Sequence, residues 1–454
     1  MTKMRKGKAP PPGVSALRRP LGDLPDPLPI PPLARPFNIT LVPPGSKSLT
    51  NRALLLAALG EGDSIIRNPL LDADDAKRML KALRRLGIET EVHPSREWVI
   101  VHGAGGELQG DVEINLNNAG TATRFLTAAA ALADGPVTID GNERMRQRPI
   151  GELVAFLRAL GIEVEDLGAP GCVPLRVHGQ GSLAGGELTI PTTASSQYVS
   201  ALLMIAPLCA QGLTLRFEGE ITSKSYIDMT VGLMANEFGV TIEASEHEIH
   251  VPPGPIASIE YEVEADASSA GYFWAAAAMT PKARTRIPGL TFQSLQADAR
   301  LPMVLRQMGA PIEYDAGGAE VHGAKALEGV DVDLAAMPDA AMTVAAVACF
   351  ARGASTLRGL RTLRVKESDR LAATQAELTK IGAHVTIEGD DALRIQPPTH
   401  MTDAPITFDT YDDHRMAMSL SLIGLRRPNV SINDPRCVDK TFPGFWEALS
   451  MLHE

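Results

Sequence analysis

Cysteine is scarce: Cys172, Cys209, Cys349 and Cys437 lie far apart and form no CxxC pair. That excludes a disulfide framework and a thiolate zinc site, and it leads us to expect a reducing, cytoplasmic setting. HExxH and other close metal-ligand clusters are missing too, so neither metal nor cofactor is expected. Positive charge is in deficit, with 43 Lys and Arg against 54 Asp and Glu and a net charge of −11. No basic run is interleaved with aromatics, so nucleic acid is not an expected partner. No apolar stretch approaches membrane-spanning length without charge or proline, so no membrane partner is expected. Aromatics make up 4% of residues, hydrophobics 44%, and mean hydropathy is near zero, as in soluble globular proteins.

Proline, by contrast, is dense at the start, with ten in the first 36 residues. That stretch begins basic but has no apolar core for a signal peptide. Residues 1–34 are therefore expected to be a disordered or polyproline tail outside the chemistry. The remainder is too long for one ordinary core, so two or three domains are expected.

A glycine loop follows the tail, PPGSKSLTNR at residues 43–52, and runs into the apolar stretch LLLAAL. It misses the nucleotide P-loop spacing, because Leu41 and Ser46 stand where glycines are required. What survives is a helix start bearing free N–H groups, two hydroxyls and a lysine, which suits an anion. A Ser-capped helix with a solvent-exposed lysine suits the same residues.

Self-comparison separates the two readings. Gly87, Gly161, Gly239, Gly309 and Gly382 each follow a helical pattern and precede a strand pattern, at a step of roughly 73 residues. Ala-rich helices beginning near Ser48, Thr121, Ser196, Ser269, Ala341 and His414 keep the same step. The pattern predicts six units of helix, strand, helix, strand, the sixth truncated at FWEALSMLHE. The first helix of each unit is apolar nearly all round and predicted to be buried; the second is amphipathic. In DADDAKRMLKALRRLG, Met79, Leu80, Leu83 and Leu86 share a face, with Asp72 or Asp74 as the expected cap. Three units clustering around their buried helices give two lobes, divided near residues 252–266; a simple solenoid is the structural alternative.

If the units are equivalent, six buried helices start with like polarity. Capping explains the Ser and Asp at those starts. It does not explain Lys47, Arg52, Arg124 and Arg415, nor the clusters Arg144, Arg146, Arg148 and Arg364, Lys366, Arg370. Six dipoles with this charge, in an acidic protein, predict an anion trap between the lobes.

At these residues the chain resembles the enolpyruvyl transferases, most closely the branch acting on shikimate 3-phosphate. The matching strings include PGSKSLTNRALLLAALGEG, NAGTATR, RMRQRPIG, SSQYVSALL, TSKSYID, PDAAMT, RVKESDRL, YDDHRMAMS and DPRCVDKTFPGFW, in order from about Ile39 to the end. The resemblance implies an α/β (α+β) fold, a two-lobed inside-out α/β barrel of six βαβαββ-type repeats. One lobe spans 46–264; the other spans 35–45 and 265–454, with the strand near FNITLV joining the second lobe. It implies transfer of the enolpyruvyl group of phosphoenolpyruvate to the 5-hydroxyl of shikimate 3-phosphate, with release of phosphate. That addition–elimination needs an acid, a base and many cations, but no metal.

Carried over by position, Asp339 is the implied base, Glu367 the acid, and Lys47 touches both substrates. Ser48, Arg52, Ser195, Ser196, Gln197, Ser223, Tyr226, Asp339 and Lys366 are implied for shikimate 3-phosphate. Gly120, Arg148, Gln197, Arg370, Arg415 and Lys440 are implied for phosphoenolpyruvate. Arg124 and His414 are further candidates. Asp339 would otherwise cap a helix, Glu367 would otherwise pair with Lys366 on the surface, and His414 would otherwise be structural. Lys366 and Arg370 should depress the Glu367 carboxyl, which opposes an acid role unless substrate anions offset them.

Four positions depart from the branch. Asn117 replaces a glycine, Phe125 a proline, and Thr362-Leu363 stand where many relatives carry Asn-Trp at a ring-hydroxyl contact. Gly120 is kept, so inhibition by glyphosate is expected, modulated by Phe125. The alternatives are a UDP-N-acetylglucosamine enolpyruvyl transferase, which usually carries a cysteine where GNERMRQRP has none, and a non-catalytic anion-binding repeat protein. A monomer is expected.

Overall fold

A computed structural model describes residues 13–454. Six helices begin where the repeat places them: Lys47–Leu59, Gly120–Ala129, Ser196–Ile205, Ala267–Met279, Ala341–Ala348 and His414–Arg426. Each is buried over nearly its whole length, as their all-round apolar character requires. The five repeat glycines all lie in the left-handed region, with φ of 90°, 83°, 67°, 99° and 84°. Each ends its helix as a residue without a Cβ does most easily.

Within a unit, a central strand pairs in parallel with the strand before the buried helix and antiparallel with a closing hairpin. In the second unit Pro136–Asp140 lies between Val112–Asn115 and Leu175–His178, which in turn pairs with Val164–Asp166. Two units take their parallel strand from elsewhere in the chain. Glu260–Glu262 pairs in parallel with Glu61–Arg67 of the first unit, and Asn38–Thr40 with Arg284–Pro288 of the fourth. The expected pairing of the FNITLV strand with the second lobe is therefore found. The chain crosses between lobes twice, side by side, at the bridge Gly45–Ala265. A Cβ on Gly45 would stand 1.9 Å from the Asn68 carbonyl oxygen, so only glycine fits this crossing.

Two apolar cores result, one drawn from residues between Leu49 and Val263, the other from residues between Leu17 and Leu452. In each, helices fill the inside and sheets lie outside.

Two expectations are corrected. Residues 13–34 are not a free tail. Val14–Leu17 is a helical turn, Leu28–Ile30 pairs with Val430–Ile432, and Leu17, Leu24, Leu28 and Ile30 sit in the second core. The prolines mislead because they punctuate a segment whose apolar residues are spaced to bury; the expectation for residues 1–12 lies outside the described residues. Neither Asp72 nor Asp74 caps the helix Asp74–Arg85, whose start has no side-chain cap. Asp72 pairs with Arg96, and Asp74 holds Arg78 and Asn117 instead. Among the described residues, no helix is long and apolar enough to cross a membrane.

Candidate active site

The starts of five buried helices face one cleft between the lobes. Lys47 and Ser48, Gly120 and Thr121, and Ser195 to Gln197 come from the first lobe; Asp339 and Arg415 come from the second. The fourth start is closed. Asp266 accepts from Ser269 N at 2.7 Å and from Lys47 N at 3.3 Å, so one carboxylate covers helix starts from both lobes at the crossing. The expected six-way convergence is thus five starts that line the cleft and one, beneath Asp266, that does not.

Helix capping cannot account for the cations here. Lys47 Nζ lies 3.4 Å from Asp75, which is also 3.3 Å from Lys440 Nζ. Lys440 reaches from the second lobe to donate to the Asn118 carbonyl at 2.5 Å and stands 3.7 Å from Glu367. Arg148 is 3.9 Å from Glu367 and donates to Asn118 Oδ1 at 3.3 Å. Arg370, 1% exposed, donates to Asp413 at 2.8 and 3.0 Å, to Asp339 at 2.9 Å and to Glu367 at 3.1 Å. Lys366 and Arg415 flank Asp339 at 3.6 and 3.1 Å.

This clustering sets the charge state of both carboxylates. Burial alone would raise Asp339, but Arg415, Lys366 and Arg370 outweigh it and hold the carboxyl well below the ordinary range. Burial likewise pushes Glu367 up, and Arg148, Arg370, Lys440 and Lys47 pull it well down. Both groups are ionised in this arrangement. Asp339 makes no helix cap, and Glu367 is 8% exposed; the capping and surface-pair readings both fail.

Hydroxyls and amides line the first lobe's side. Ser195 Oγ accepts from Gln197 N, and Gln197 Nε2 donates to Thr121 Oγ1 at 3.2 Å. Ser223 sits at φ 46°, an unusual conformation for a residue with a side chain. Arg52 lines the cleft but spends its donors on Ser48 O, Thr230, Ser200 and Tyr226 O, with its guanidinium 5.1 Å from the Phe125 ring centre. Burial pulls Arg52 down to about 10 and Arg124 to about 9. Arg124 donates to Gly120 O and Pro149 O, bracing the second helix.

Of the residues that the resemblance implies for catalysis or binding, all but His414 and Lys440 line the cleft, and Lys440 reaches it through Glu367. Of the other basic residues expected in the gap, Arg146 pairs with Asp140 and Arg364 with Asp369 and Asp390, away from the cleft. His414 is fully buried without a hydrogen-bond partner on either ring nitrogen, and burial holds it neutral. It contacts no cleft space, which corrects its candidacy. Two residues escape the sequence reading: Asp75 looks like part of an acidic helix start, and Asp413 like a simple cap. Arg144 is counted among the cations expected in the gap, but not as a tie to backbone carbonyls. Asp413 caps Arg415 N and grips Arg370; Arg144 crosses the cleft to the carbonyls of Lys366 and Glu367 at 2.9 and 2.8 Å. Only the spatial contacts reveal these roles.

Two lobes of inward helices around a cation-rich, carboxylate-bearing cleft define the class of enolpyruvyl transferases. A solved member, the enolpyruvyl transferase NikO from Streptomyces tendae, shares the fold at a TM-score of 0.68 with 18% identity, over 90% of this chain and 93% of its own. More particularly, the chain belongs to the EPSP synthase (3-phosphoshikimate 1-carboxyvinyltransferase) family, whose sequence profile matches residues 34–449. The 3-phosphoshikimate 1-carboxyvinyltransferase of Tolumonas auensis is 44% identical over 413 residues, 89% of this chain and 94% of its own. That of Aliivibrio salmonicida is 44% identical over 415 residues, 90% and 95% of the two chains. The EPSP synthase structure from Acinetobacter baumannii has a TM-score of 0.76 at 25% identity, covering 92% of this chain and 96% of that one.

Proposed function

We propose that the protein transfers the enolpyruvyl group of phosphoenolpyruvate to the 5-hydroxyl of shikimate 3-phosphate, releasing phosphate. The observation that carries this reading is the single cleft in which Asp339 and Glu367 stand among Lys47, Arg148, Lys366, Arg370, Arg415 and Lys440. Each substrate brings a carboxylate and a phosphate monoester of about −1.5 to −2 charge. Those anions partly neutralise the cations that hold both carboxyls down, so the two groups rise toward useful proton affinity only when the cleft is filled. The apparent conflict between a depressed Glu367 and an acid role is then a device that withholds the proton until substrates arrive.

In the reaction, a proton adds to the methylene carbon of phosphoenolpyruvate, and Glu367 is placed to deliver it. The sugar-like hydroxyl loses its proton to Asp339 as its oxygen bonds to the adjacent carbon. The C–O bond to phosphate then breaks with its electron pair leaving on phosphate, the Glu367 carboxylate takes back a proton from the new methyl group, and the double bond re-forms as an enol ether. Lys47, Arg148, Arg370, Arg415 and Lys440 stabilise the anionic adduct, with Gly120 leaving room beside Arg148 and Gln197 between the two substrates. Ser48, Ser195, Ser196, Ser223 and Tyr226 hold the 3-phosphate side, with Arg52 behind them and Lys366 at the ring hydroxyls. Thr362 lines the cleft with its hydroxyl unpartnered, which supports a ring contact there in place of asparagine.

The lobes, 46–264 against 35–45 with 265–454, close around this chemistry, and we read the enzyme as a cytoplasmic monomer with glyphosate competing at the phosphoenolpyruvate side. Phosphate release should be seen with phosphoenolpyruvate and shikimate 3-phosphate, should fall with added glyphosate, and should be missing with UDP-N-acetylglucosamine. Release with the nucleotide sugar alone would move the protein to the sister activity, and release with neither would leave a binding protein.

A further inference from the structure

Lys440 ends a short 3-10 helix, Pro435–Lys440, that starts from Asp434 in the left-handed region at φ 44°. A helix of this type and length has poor internal hydrogen-bond geometry and depends on its surroundings for a fixed position. Its surroundings are the buried helix His414–Arg426 and the N-terminal segment, which precedes residue 34, where the family match begins. Asp26 Oδ1 accepts from the Asp434 amide at 3.0 Å. Arg436 donates to the carbonyls of Gly22 and Leu24 at 3.2 and 3.1 Å. Leu28–Ile30 pairs with Val430–Ile432, the strand that leads into the turn. Trp446 donates to the Pro435 carbonyl at 2.8 Å from the other side.

The far end of the turn is the Lys440 ammonium between Asp75, Asn118 and Glu367. Thus one end of a six-residue element is clamped by residues 22–30, and its other end carries a cation across the gap between lobes. We propose that the N-terminal segment is a brace, with Asp26 a positioning residue that sets the Lys440 ammonium for phosphoenolpyruvate; this rests on the reading of Lys440 given above. Among the described residues, the side-chain and strand hydrogen bonds of residues 22–30 named above all go to residues 430–436 and none to the shikimate 3-phosphate side, so the effect is expected to be selective for one substrate.

The test uses the full chain with Asp26→Ala, Asp26→Asn and Lys440→Ala, following amide hydrogen exchange together with both Michaelis constants. In Asp26→Ala, exchange at Asp434 and the following turn should quicken. KM for phosphoenolpyruvate should rise by about two- to ten-fold, the range a lost hydrogen bond produces. KM for shikimate 3-phosphate should hold. Asp26→Asn keeps the accepting Oδ1 and should restore both readouts. Unchanged exchange in Asp26→Ala overturns the brace. Quickened exchange with KM for phosphoenolpyruvate unchanged overturns the link to Lys440. If Lys440→Ala itself leaves phosphoenolpyruvate kinetics intact, the assignment of Lys440 fails and the proposal falls with it, whatever the exchange data show.

Discussion

On the first lobe's side of the cleft, the neutral groups Ser48, Ser195, Ser196, Gln197, Ser223 and Tyr226 stand with the cations Lys47, Arg52, Arg124 and Arg148, and no first-lobe carboxylate is among the cleft-lining residues. On the second lobe's side, Asp339 and Glu367 are interleaved with Lys366, Arg370 and Arg415, and Asp413 locks Arg370 from behind. Both sides come from the same repeat unit, helix start for helix start. The difference lies in what occupies the few residues at each start, so under the proposed function equivalent backbones serve one lobe for holding a phosphate and the other for moving protons. Hydroxyls and helix N–H groups bind an anion without titrating; carboxylates set among cations carry protons only when that field changes.

The contrast breaks most severely at Asp339. Asp339→Asn should lower kcat by roughly 10²–10⁴, the span of a lost general base, with the KM for shikimate 3-phosphate little changed; retained turnover would remove the base assignment. The Gly120→Ala methyl would stand 2.6–2.8 Å from the Arg148 guanidinium. That guanidinium must shift from the place where it faces Glu367, so KM for phosphoenolpyruvate should rise by about ten-fold or more, on the scale of a displaced charged hydrogen bond. Glyphosate inhibition measured in parallel should weaken with it. On the first lobe's side, Ser196→Ala should raise KM for shikimate 3-phosphate by about two- to ten-fold and leave kcat near wild type. Equal losses in both constants at Ser196 would erase the division of labour between the lobes.

Most of this architecture is readable from the linear chain, for a physical reason. A fully buried helix must be apolar all round, and its unit closes on a left-handed glycine, so six such helices print a repeat near one period. The cleft residues are legible because helix capping gives no reason for Lys47, Arg148 and Arg415 to gather at such starts in an acidic protein. Asp75 stays illegible, because an acid in DADD looks solvated until the fold brings Lys440 against it. The N-terminal segment is misread for the converse reason. Proline density signals a free chain, while the burial of Leu17, Leu28 and Ile30 depends on a sheet edge near the far end of the sequence.

An effect on stability, and none on turnover, sharpens the comparison within the second lobe itself. Asp298 and Asp339 share Arg415 as a neighbour, yet their carboxyls move in opposite directions. Asp298 is 4% exposed and accepts from Ser268 Oγ at 2.8 Å. Burial pushes it up to about 6; Arg415 opposes, and Asp339 and Asp266 add to the rise. Its folded value thus lies above the unfolded one. The stability it contributes is full below about pH 4 and is lost as pH rises through about 6, a deficit on the order of 2–3 kcal/mol above that. Asp298→Asn keeps an oxygen for Ser268 and removes the titration. It should melt above wild type at pH 8, and the gap should shrink as pH falls from 6 toward 4. A gap that does not vary with pH would show that Asp298 is ionised at no cost, and that burial does not separate it from Asp339.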